Sequence, residues 1–95
     1  MRKYEVVYII KPGFEEDKYQ TIVEKYNALI QSNGGEILKV EPWGKRRLAY
    51  EIDKLRDGYY VLLHFEGPEG LPQELERNFR IADEIMRYLV VRMGE

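Results

Sequence analysis

The chain has 95 residues, of which 44% are apolar and 34% charged, a balance that predicts one folded domain spanning residues 1–95 rather than a disordered segment. Cysteine is absent and no apolar run approaches the roughly 20 residues of a membrane-spanning helix, which excludes disulfides and thiolate sites and favours a cytoplasmic protein with no membrane partner. The net charge of −2 argues against indiscriminate coating of nucleic acid, because that activity needs a broad positive field.

The chain begins with a strand pattern that is followed by a helix pattern. Tyr4 to Ile10 is a β-branched and aromatic run that ends at the turn residues Lys11-Pro12-Gly13, and its apolar character predicts a central strand. Glu15 to Asn33 carries apolar residues at the spacing of an α-helix, with acids in its first turn and a glycine pair after its end. These segments predict a strand and then a helix.

The middle of the chain predicts a β-hairpin with an irregular first arm. This second strand begins at Glu36 to Val40, is interrupted by Pro42 and Gly44, and resumes from Leu48 to Ile52. Proline has no N–H to donate to a strand ladder, so the second strand is expected at a sheet edge, with a bulge. A polar loop is expected from Asp53 to Gly58.

The last third of the chain predicts a third strand, a second helix and a fourth strand. The strands are Tyr59 to Glu66 and Ile85 to Met93, and the helix between them carries apolar residues at helical spacing from Leu71 to Ala82. The element order is therefore βαββαβ. Right-handed crossovers then place both helices on one face of a four-stranded antiparallel sheet, which is the ferredoxin-like arrangement of the α+β class.

One face of the predicted sheet carries no helix. Because strand side chains alternate between faces, Tyr4, Val6, Tyr8 and Ile10 are assigned to the helices and their neighbours to the uncovered side. The uncovered side is then mostly apolar, with Val7, Ile9, Tyr60, Leu62, His64, Leu89 and Val91. Exposed apolar patches mark interfaces, so this arrangement predicts a binding partner.

Residues suited to catalysis are few. Thr21 and Ser32 are the only hydroxyl residues of the Ser and Thr type, both lie in the first predicted helix, and His64 is the sole histidine. A nucleophile needs an orienting base, and a metal needs several ligands. The glycines match neither a dinucleotide-binding fingerprint nor a phosphate loop. We therefore expect no enzyme activity, no metal, no cofactor and no small-molecule substrate.

The segment from Pro42 to Tyr50 combines three cations, no acid, the only tryptophan and a tyrosine. Its guanidinium groups suit RNA phosphates, and its aromatic rings suit stacking. Alternatively, Arg46 and Arg47 point to opposite sheet faces and pair with acids of neighbouring strands, while Lys45 protects the sheet edge. Residue spacing leaves both interpretations open.

A second set of bases surrounds the first and fourth strands. Arg2 and Lys3 precede the first strand, and Arg87 and Arg92 lie around the fourth. Because these two strands pair in the expected fold, we predict that the four bases gather into one spot. The alternative is that they are ordinary solubilising charges at strand ends.

Several blocks of the sequence resemble one family, in order and over nearly the whole chain. The blocks are Arg2-Lys3-Tyr4-Glu5, Ile9-Ile10-Lys11-Pro12, Trp43-Gly44-Lys45-Arg46-Arg47-Leu48-Ala49-Tyr50-Glu51-Ile52, Gly58-Tyr59-Tyr60, Glu76 to Arg80, and Arg87-Tyr88-Leu89-Val90-Val91-Arg92. They resemble the ribosomal protein S-six family of bacteria, and the block that begins at Trp43 is a specific signal.

The resemblance implies a ferredoxin-like fold and a place in the small ribosomal subunit, in the cytoplasm. It also implies binding to the central domain of small-subunit (16S) ribosomal RNA together with ribosomal protein S-eighteen. By resemblance, Arg2, Lys3, Arg87 and Arg92 are assigned to RNA, and Arg46 and Arg47 to RNA or the protein partner. The implied protein-binding residues are Val7, Ile9, Trp43, Tyr50, Tyr60, Leu62, Leu89 and Val91.

Two other functions are compatible with the same fold. An RRM-like domain would bind single-stranded RNA on the uncovered sheet face, and residues 57–65 faintly echo its aromatic motif. That face, however, offers mainly aliphatic residues beside Tyr60 and His64, which suits protein better than bases. A small enzyme or ligand-binding regulator is the second alternative, since fold alone does not determine function.

Overall fold

A computed structural model describes residues 1–47 and 57–94. Its element order confirms the predicted βαββαβ arrangement. The four strands form one antiparallel sheet in the order β2-β3-β1-β4, so the first strand is central, as predicted, and the second strand is at an edge. The elements are β1 Arg2–Ile10, α1 Glu16–Ser32, β2 Glu36–Arg47, β3 Asp57–Gly67, α2 Leu71–Ile81 and β4 Ile85–Arg92.

Both helices pack on the same face of the sheet. Their apolar stripes meet the inward residues of β1 and β3 in one core. Phe79 lies at its centre, with its ring centroid 5.0 Å from that of Tyr8 and 4.8 Å from that of Tyr26. Aromatic side chains bury large apolar areas, so this cluster is a main source of stability. The assignment of alternate β1 residues to the helices is confirmed, because Val6, Tyr8 and Ile10 are fully buried.

The helix ends follow their local chemistry. α1 has Glu16 and Asp17 in its first turn, where the helix dipole favours negative charge. It ends at Ser32 with Asn33 as its C-cap, and Gly34 then adopts a φ of 89°, a left-handed conformation that glycine adopts without strain. In α2 a proline occupies the first turn, where its missing N–H costs no helical hydrogen bond.

A polar contact fixes the connection between α2 and β4. The Glu84 carboxylate accepts hydrogen bonds from Lys25 Nζ at 2.9 Å and from the Tyr26 hydroxyl at 3.3 Å. Partial burial acts to raise the pKa of Glu84, but the hydrogen bonds and the positive charge of Lys25 outweigh it, so this pKa is lowered. The start of β4 is thus tied to α1.

The predicted interruption of the second strand is wrong. β2 runs without a break from Glu36 to Arg47, and two register shifts against β3 absorb the irregular residues, one between Ile37 and Lys39 and one between Pro42 and Gly44. An edge strand tolerates proline, and an extra residue in one strand makes a bulge, as expected. The pairing continues to Arg47 opposite Asp57.

The loop predicted between β2 and β3 extends too far at its C-terminal end, because β3 begins at Asp57. Asp57 and Gly58, assigned to the loop, belong to β3. The predicted segment from Leu48 to Ile52 and the rest of the loop lie outside the described residues. Elsewhere the predicted boundaries are correct to within two residues.

We expect the Gly44→Ala variant to lose about 1 kcal/mol of unfolding free energy, because Gly44 has a φ of 82° that disfavours any Cβ. No atom lies within 4 Å of the added Cβ, so the loss would report backbone strain alone. Gly70→Ala is a matched control, since Gly70 has equal space but a φ of −80°. Urea denaturation of both variants measures the difference, and equal stability would contradict the strained bulge.

Candidate RNA- and protein-binding surface

The sheet face opposite the helices, called here the open face, is organised in rows that cross the strands. One row joins Leu62, Val7 and Leu89, and ends at Glu41 of β2. In the next row towards the end of β1, Tyr60 lies opposite Ile9, which lies opposite Arg87. In the next row towards its beginning, the order is Lys39, His64, Glu5 and Val91. The predicted set of uncovered residues thus shares one surface.

Apolar side chains on the open face are most exposed along β4. Leu89 is 61% exposed and Val91 is 43% exposed, whereas Val7 and Ile9 are half-buried. Leu62 lies on the same face but is only 9% exposed, with Glu41 and Val7 directly opposite it on the two adjacent strands. The apolar patch, defined as Val7, Ile9, Trp43, Tyr60, Leu62, Leu89 and Val91, is therefore open mainly at its β4 side and at Trp43.

Trp43 forms the corner of the apolar patch that lies beside Tyr60. Its ring stacks on Tyr60 at a centroid distance of 6.4 Å and an interplanar angle of 17°. The indole Nε1 donates a hydrogen bond to Glu41 at 3.2 Å, and the side chain stays 40% exposed. Burial raises the pKa of Tyr60, and the positive charge of Arg87 partly opposes this rise. Aromatic and cationic groups therefore meet at this end of the face.

The row of Lys39, His64, Glu5 and Val91 is polar except for Val91. His64 Nε2 lies 2.9 Å from Glu5 Oε2, and both residues are partly exposed. Lys39 is opposite His64 and lies 3.8 Å from Glu41 Oε2. His64 thus contacts a side chain of the neighbouring strand β1. The positions of Lys39 and Glu41 could not be read from alternation, because the bulge after Ile37 resets the period of β2.

The prediction that Arg2, Lys3, Arg87 and Arg92 form one basic spot is wrong for Arg87. Arg92 lies opposite Tyr4, close to Arg2 and Lys3, whereas Arg87 lies opposite Ile9. Four residues lie between the two arginines of β4, so their Cα atoms are five extended steps apart, a span of about 17 Å. Because β1 and β4 are antiparallel, their pairing places the beginning of β1 beside the end of β4, near Arg92, and leaves Arg87 at the other end of the sheet.

Arg2, Lys3 and Arg92 lie at the end of the sheet where β1 begins, and acidic side chains lie beside them. Arg2 and Arg92 line a cleft between the sheet and α2 that also contains Glu69 and Glu76. Arg2 forms a salt bridge of 3.5 Å with Glu69, and both side chains are exposed, so the pair is worth less than about 1 kcal/mol. Lys3 is exposed on the neighbouring surface. This end of the sheet is therefore locally basic but partly neutralised.

Arg46 and Arg47 belong to the last residues of β2. Their main chains lie opposite Gly58 and Asp57, beyond the row that contains Tyr60 and Arg87. The main chains of Arg46, Arg47 and Arg87 thus share the end of the sheet where β1 finishes, on opposite edges. Tyr50, predicted to bind the partner, lies outside the described residues.

Candidate catalytic groups are engaged in local structure. The Thr21 hydroxyl donates to the Asp17 carbonyl at 2.9 Å, and the Ser32 hydroxyl donates to the Leu29 carbonyl at 3.2 Å, both within α1. Over residues 1–47 and 57–94, no group of three His, Asp or Glu side chains could hold a metal ion. Within the same ranges, no helix has the length and apolar character needed to cross a membrane.

Comparison with known proteins identifies one family. A family model described as ribosomal protein S6 matches residues 3–92. The small ribosomal subunit protein bS6 of Moorella thermoacetica is 47% identical over 95 residues, covering 100% of this chain and 97% of the relative. The protein of the same name from Desulforamulus reducens is 46% identical over 95 residues, with full coverage of both chains.

A solved structure agrees with these matches. The crystal structure of the 30S ribosomal protein S6 of Thermotoga maritima superposes with a TM-score of 0.89 at 36% identity, covering 97% of this chain and 87% of that one. Agreement of sequence and fold over the whole length favours the ribosomal interpretation over an RRM-like domain or a small enzyme. The chain therefore belongs to the ribosomal protein S6 family and is a structural, non-enzymatic component of the small ribosomal subunit in the cytoplasm.

Proposed function

We propose that the chain binds small-subunit ribosomal RNA together with ribosomal protein S-eighteen, and that this protein partner covers the apolar patch. The exposed aliphatic side chains of Leu89 and Val91 carry this proposal. Fully burying an exposed Leu or Val side chain contributes about 1.5–3 kcal/mol, so covering these two partly exposed side chains gives a partner part of that driving force. Leu89 lies directly opposite Val7, which lies directly opposite Leu62, so three apolar residues are adjacent in this row.

RNA contact is proposed at the ends of the sheet. Arg2, Lys3 and Arg92 lie at one end, and Arg46, Arg47 and Arg87 have their main chains at the other. The helical layer offers no comparable excess of bases, since the exposed acids Glu16, Asp17 and Glu24 of α1 offset its exposed lysines at positions 18 and 25. RNA is therefore held at the rim of the open face, beside the protein partner.

Separate surfaces for the protein partner and for RNA predict that the two bind cooperatively. The partner covers the apolar patch, and its own positive charge adds to the bases at the rim. A protein of net charge −2 has a weak sequence-independent affinity for RNA, so the joint surface is expected to bind far more tightly than this chain alone. The large salt dependence of phosphate contacts should appear only with the partner present.

The test uses the purified chain, ribosomal protein S-eighteen and an RNA fragment from the central domain of the small-subunit ribosomal RNA. We expect the two proteins to associate without RNA, and the pair to bind the fragment at least about 10-fold more tightly than either protein alone. Equal affinity of the pair and of the separate proteins would contradict the proposal. Micromolar binding of short single strands by the isolated chain would instead favour an RRM-like function.

A further inference from the structure

Side-chain alternation reverses near the start of β4. Ile85 packs against the core, but Arg87, two residues later, lies in the open-face row with Ile9. Residues two apart in a regular strand share a face, so one extra residue interrupts the strand here. The register places Ile10 opposite Ile85. It places the adjacent residue, Ile9, opposite Arg87, so Met86 has no paired residue on β1 and forms a β-bulge.

The Met86 bulge joins two parts of β4 that are out of phase by one residue. Before it, Ile85 packs against the core. After it, the Tyr88 ring packs against the core with its centroid 5.2 Å from that of Phe79, and Leu89 lies on the open face. Ile85 and Leu89 are an even number of residues apart but lie on opposite faces, so the bulge takes up the difference.

Glu84, two residues before the Met86 bulge, is bonded to two other parts of the chain. Its main-chain carbonyl accepts a hydrogen bond at 2.8 Å from the N–H of Lys11, directly after β1. Its carboxylate accepts hydrogen bonds from Lys25 and Tyr26 of α1. The Glu84 side chain is only 20% exposed, so water would replace lost partners poorly. The first residues of β4 are therefore held in place.

The Glu84 contacts oppose relaxation of the bulge. A bulge relaxes when one part of its strand slides by one residue, which is about 3.4 Å of extended chain. Sliding of the later part would turn the charged Arg87 towards the core, which is costly. Sliding of the first part would place Met86 opposite Ile10 instead of Ile85. That displacement would break the hydrogen bonds of Glu84, since they are 2.8–3.3 Å long.

The Met86 side chain distinguishes the bulged strand from the relaxed one. Gly58 alternates with Tyr60 along β3, so a Cβ at Gly58 would point to the open face. Such a Cβ would lie 3.7 Å from Met86 Sδ and would overlap the Ile9 side chain. Met86 therefore lies on the open face beside Ile9. In the relaxed strand, Met86 would replace Ile85 and turn towards the core.

We propose that Glu84 is a positioning residue for Arg87: by holding the first residues of β4, it maintains the bulge that directs the Arg87 side chain at the rim of the open face. A bulge re-aims the adjacent side chain and increases the local twist of the strand. This inference rests on the proposed function, in which Arg87 contacts RNA, and it assigns Glu84 a role that needs no contact with RNA.

A double-mutant cycle on RNA binding by the protein pair tests the proposal. Arg87→Gln should weaken RNA binding about 10-fold, and Glu84→Ala about 5-fold. In a chain that already carries Arg87→Gln, Glu84→Ala should have less than about a 2-fold effect, because its effect passes through Arg87. In a chain that carries Arg92→Gln, at the other end of the sheet, the effect of Glu84→Ala should remain about 5-fold.

Asp83→Ala is the matched control, because it removes the same charge from the adjacent, exposed residue. Loss of a negative charge alone favours RNA, so Asp83→Ala should not weaken binding. Glu84→Gln keeps a hydrogen-bond acceptor and should restore part of the affinity lost in Glu84→Ala. If Glu84→Ala does not fold, Glu84→Gln serves in the same cycle with a smaller expected effect.

The outcomes separate the inference from the proposed function. An effect of Glu84→Ala that is absent, or that is equal in all three backgrounds, would overturn the inference and leave the assignment of Arg87 to RNA intact. Normal RNA affinity of the Arg87→Gln variant would overturn both.

NMR of the free chain supplies a measurement that does not depend on RNA. The Met86 methyl group should show a nuclear Overhauser contact with Ile9 in the unmodified chain and in Asp83→Ala. In Glu84→Ala this contact should weaken at least about 2-fold, as Met86 spends time turned towards the core. An unchanged contact in a folded Glu84→Ala variant would overturn the proposal.

Discussion

Replacing Leu89 by Asp is expected to weaken binding of ribosomal protein S-eighteen by at least about 30-fold, which corresponds to about 2 kcal/mol. Leu89 is 61% exposed in the free chain, so the substitution removes little packing and should change the unfolding free energy by less than about 1 kcal/mol. In the complex, however, the new carboxylate would lose its water inside an apolar contact. Titration calorimetry measures the affinity, and urea denaturation measures the stability.

Ile81→Asp is the matched control for Leu89→Asp. Ile81 is 69% exposed at the end of α2, away from the open face, and the substitution makes the same chemical change. It should leave the affinity for the partner unchanged. Leu62 is a poorer probe of the face, because at 9% exposure a charge there would also destabilise the sheet. Normal affinity of a folded Leu89→Asp variant would show that the partner does not use this face.

The double variant Arg46→Glu with Arg47→Glu is expected to lower the RNA affinity of the protein pair by about 100-fold. Each lost phosphate contact should also reduce the slope of log affinity against log salt by about 1. The fold should persist, because both residues contribute to β2 through main-chain pairing at a sheet edge. Filter binding of the RNA fragment over a range of KCl concentrations measures both quantities.

Lys18→Glu with Arg80→Glu changes the net charge by the same amount on the exposed surfaces of the helices. This control separates a local contact from the general effect of charge, and its RNA affinity should change little. If the Arg46 and Arg47 variant loses affinity for ribosomal protein S-eighteen without RNA present, the two arginines serve the protein partner. Unchanged binding to both partners would exclude them from the interface.

Much of the fold could be predicted because local periods and global packing agree in this sequence. Alternation in β1 places Tyr8 and Ile10 in the core and Val7 and Ile9 on the open face, and the helical stripe of α1 fits the same core. The order βαββαβ then fixes which face the helices cover. The open face was therefore predictable from residue types alone.

The arrangement within the surface was less predictable, since it depends on register and neighbours. Bulges reset the alternation of β2, so the positions of Lys39 and Glu41 on the open face could not be counted from a fixed period. Pairing of the first and fourth strands predicts that Arg87 and Arg92 lie together, but four intervening residues of extended chain keep them apart. The shielding of Leu62 arises from cross-strand neighbours, which the sequence does not specify.

The most direct test of the central claim is the solvent exposure of three side chains in the assembled complex with ribosomal protein S-eighteen and RNA. A soluble paramagnetic agent broadens the NMR signals of exposed methyl groups, and in the free chain it should affect Leu89, Val91 and Ile81. On assembly, Leu89 and Val91 are expected to become protected while Ile81 at the end of α2 stays exposed. A stable assembly in which Leu89 and Val91 remain as exposed as Ile81 would contradict the claim that the open face holds the partner.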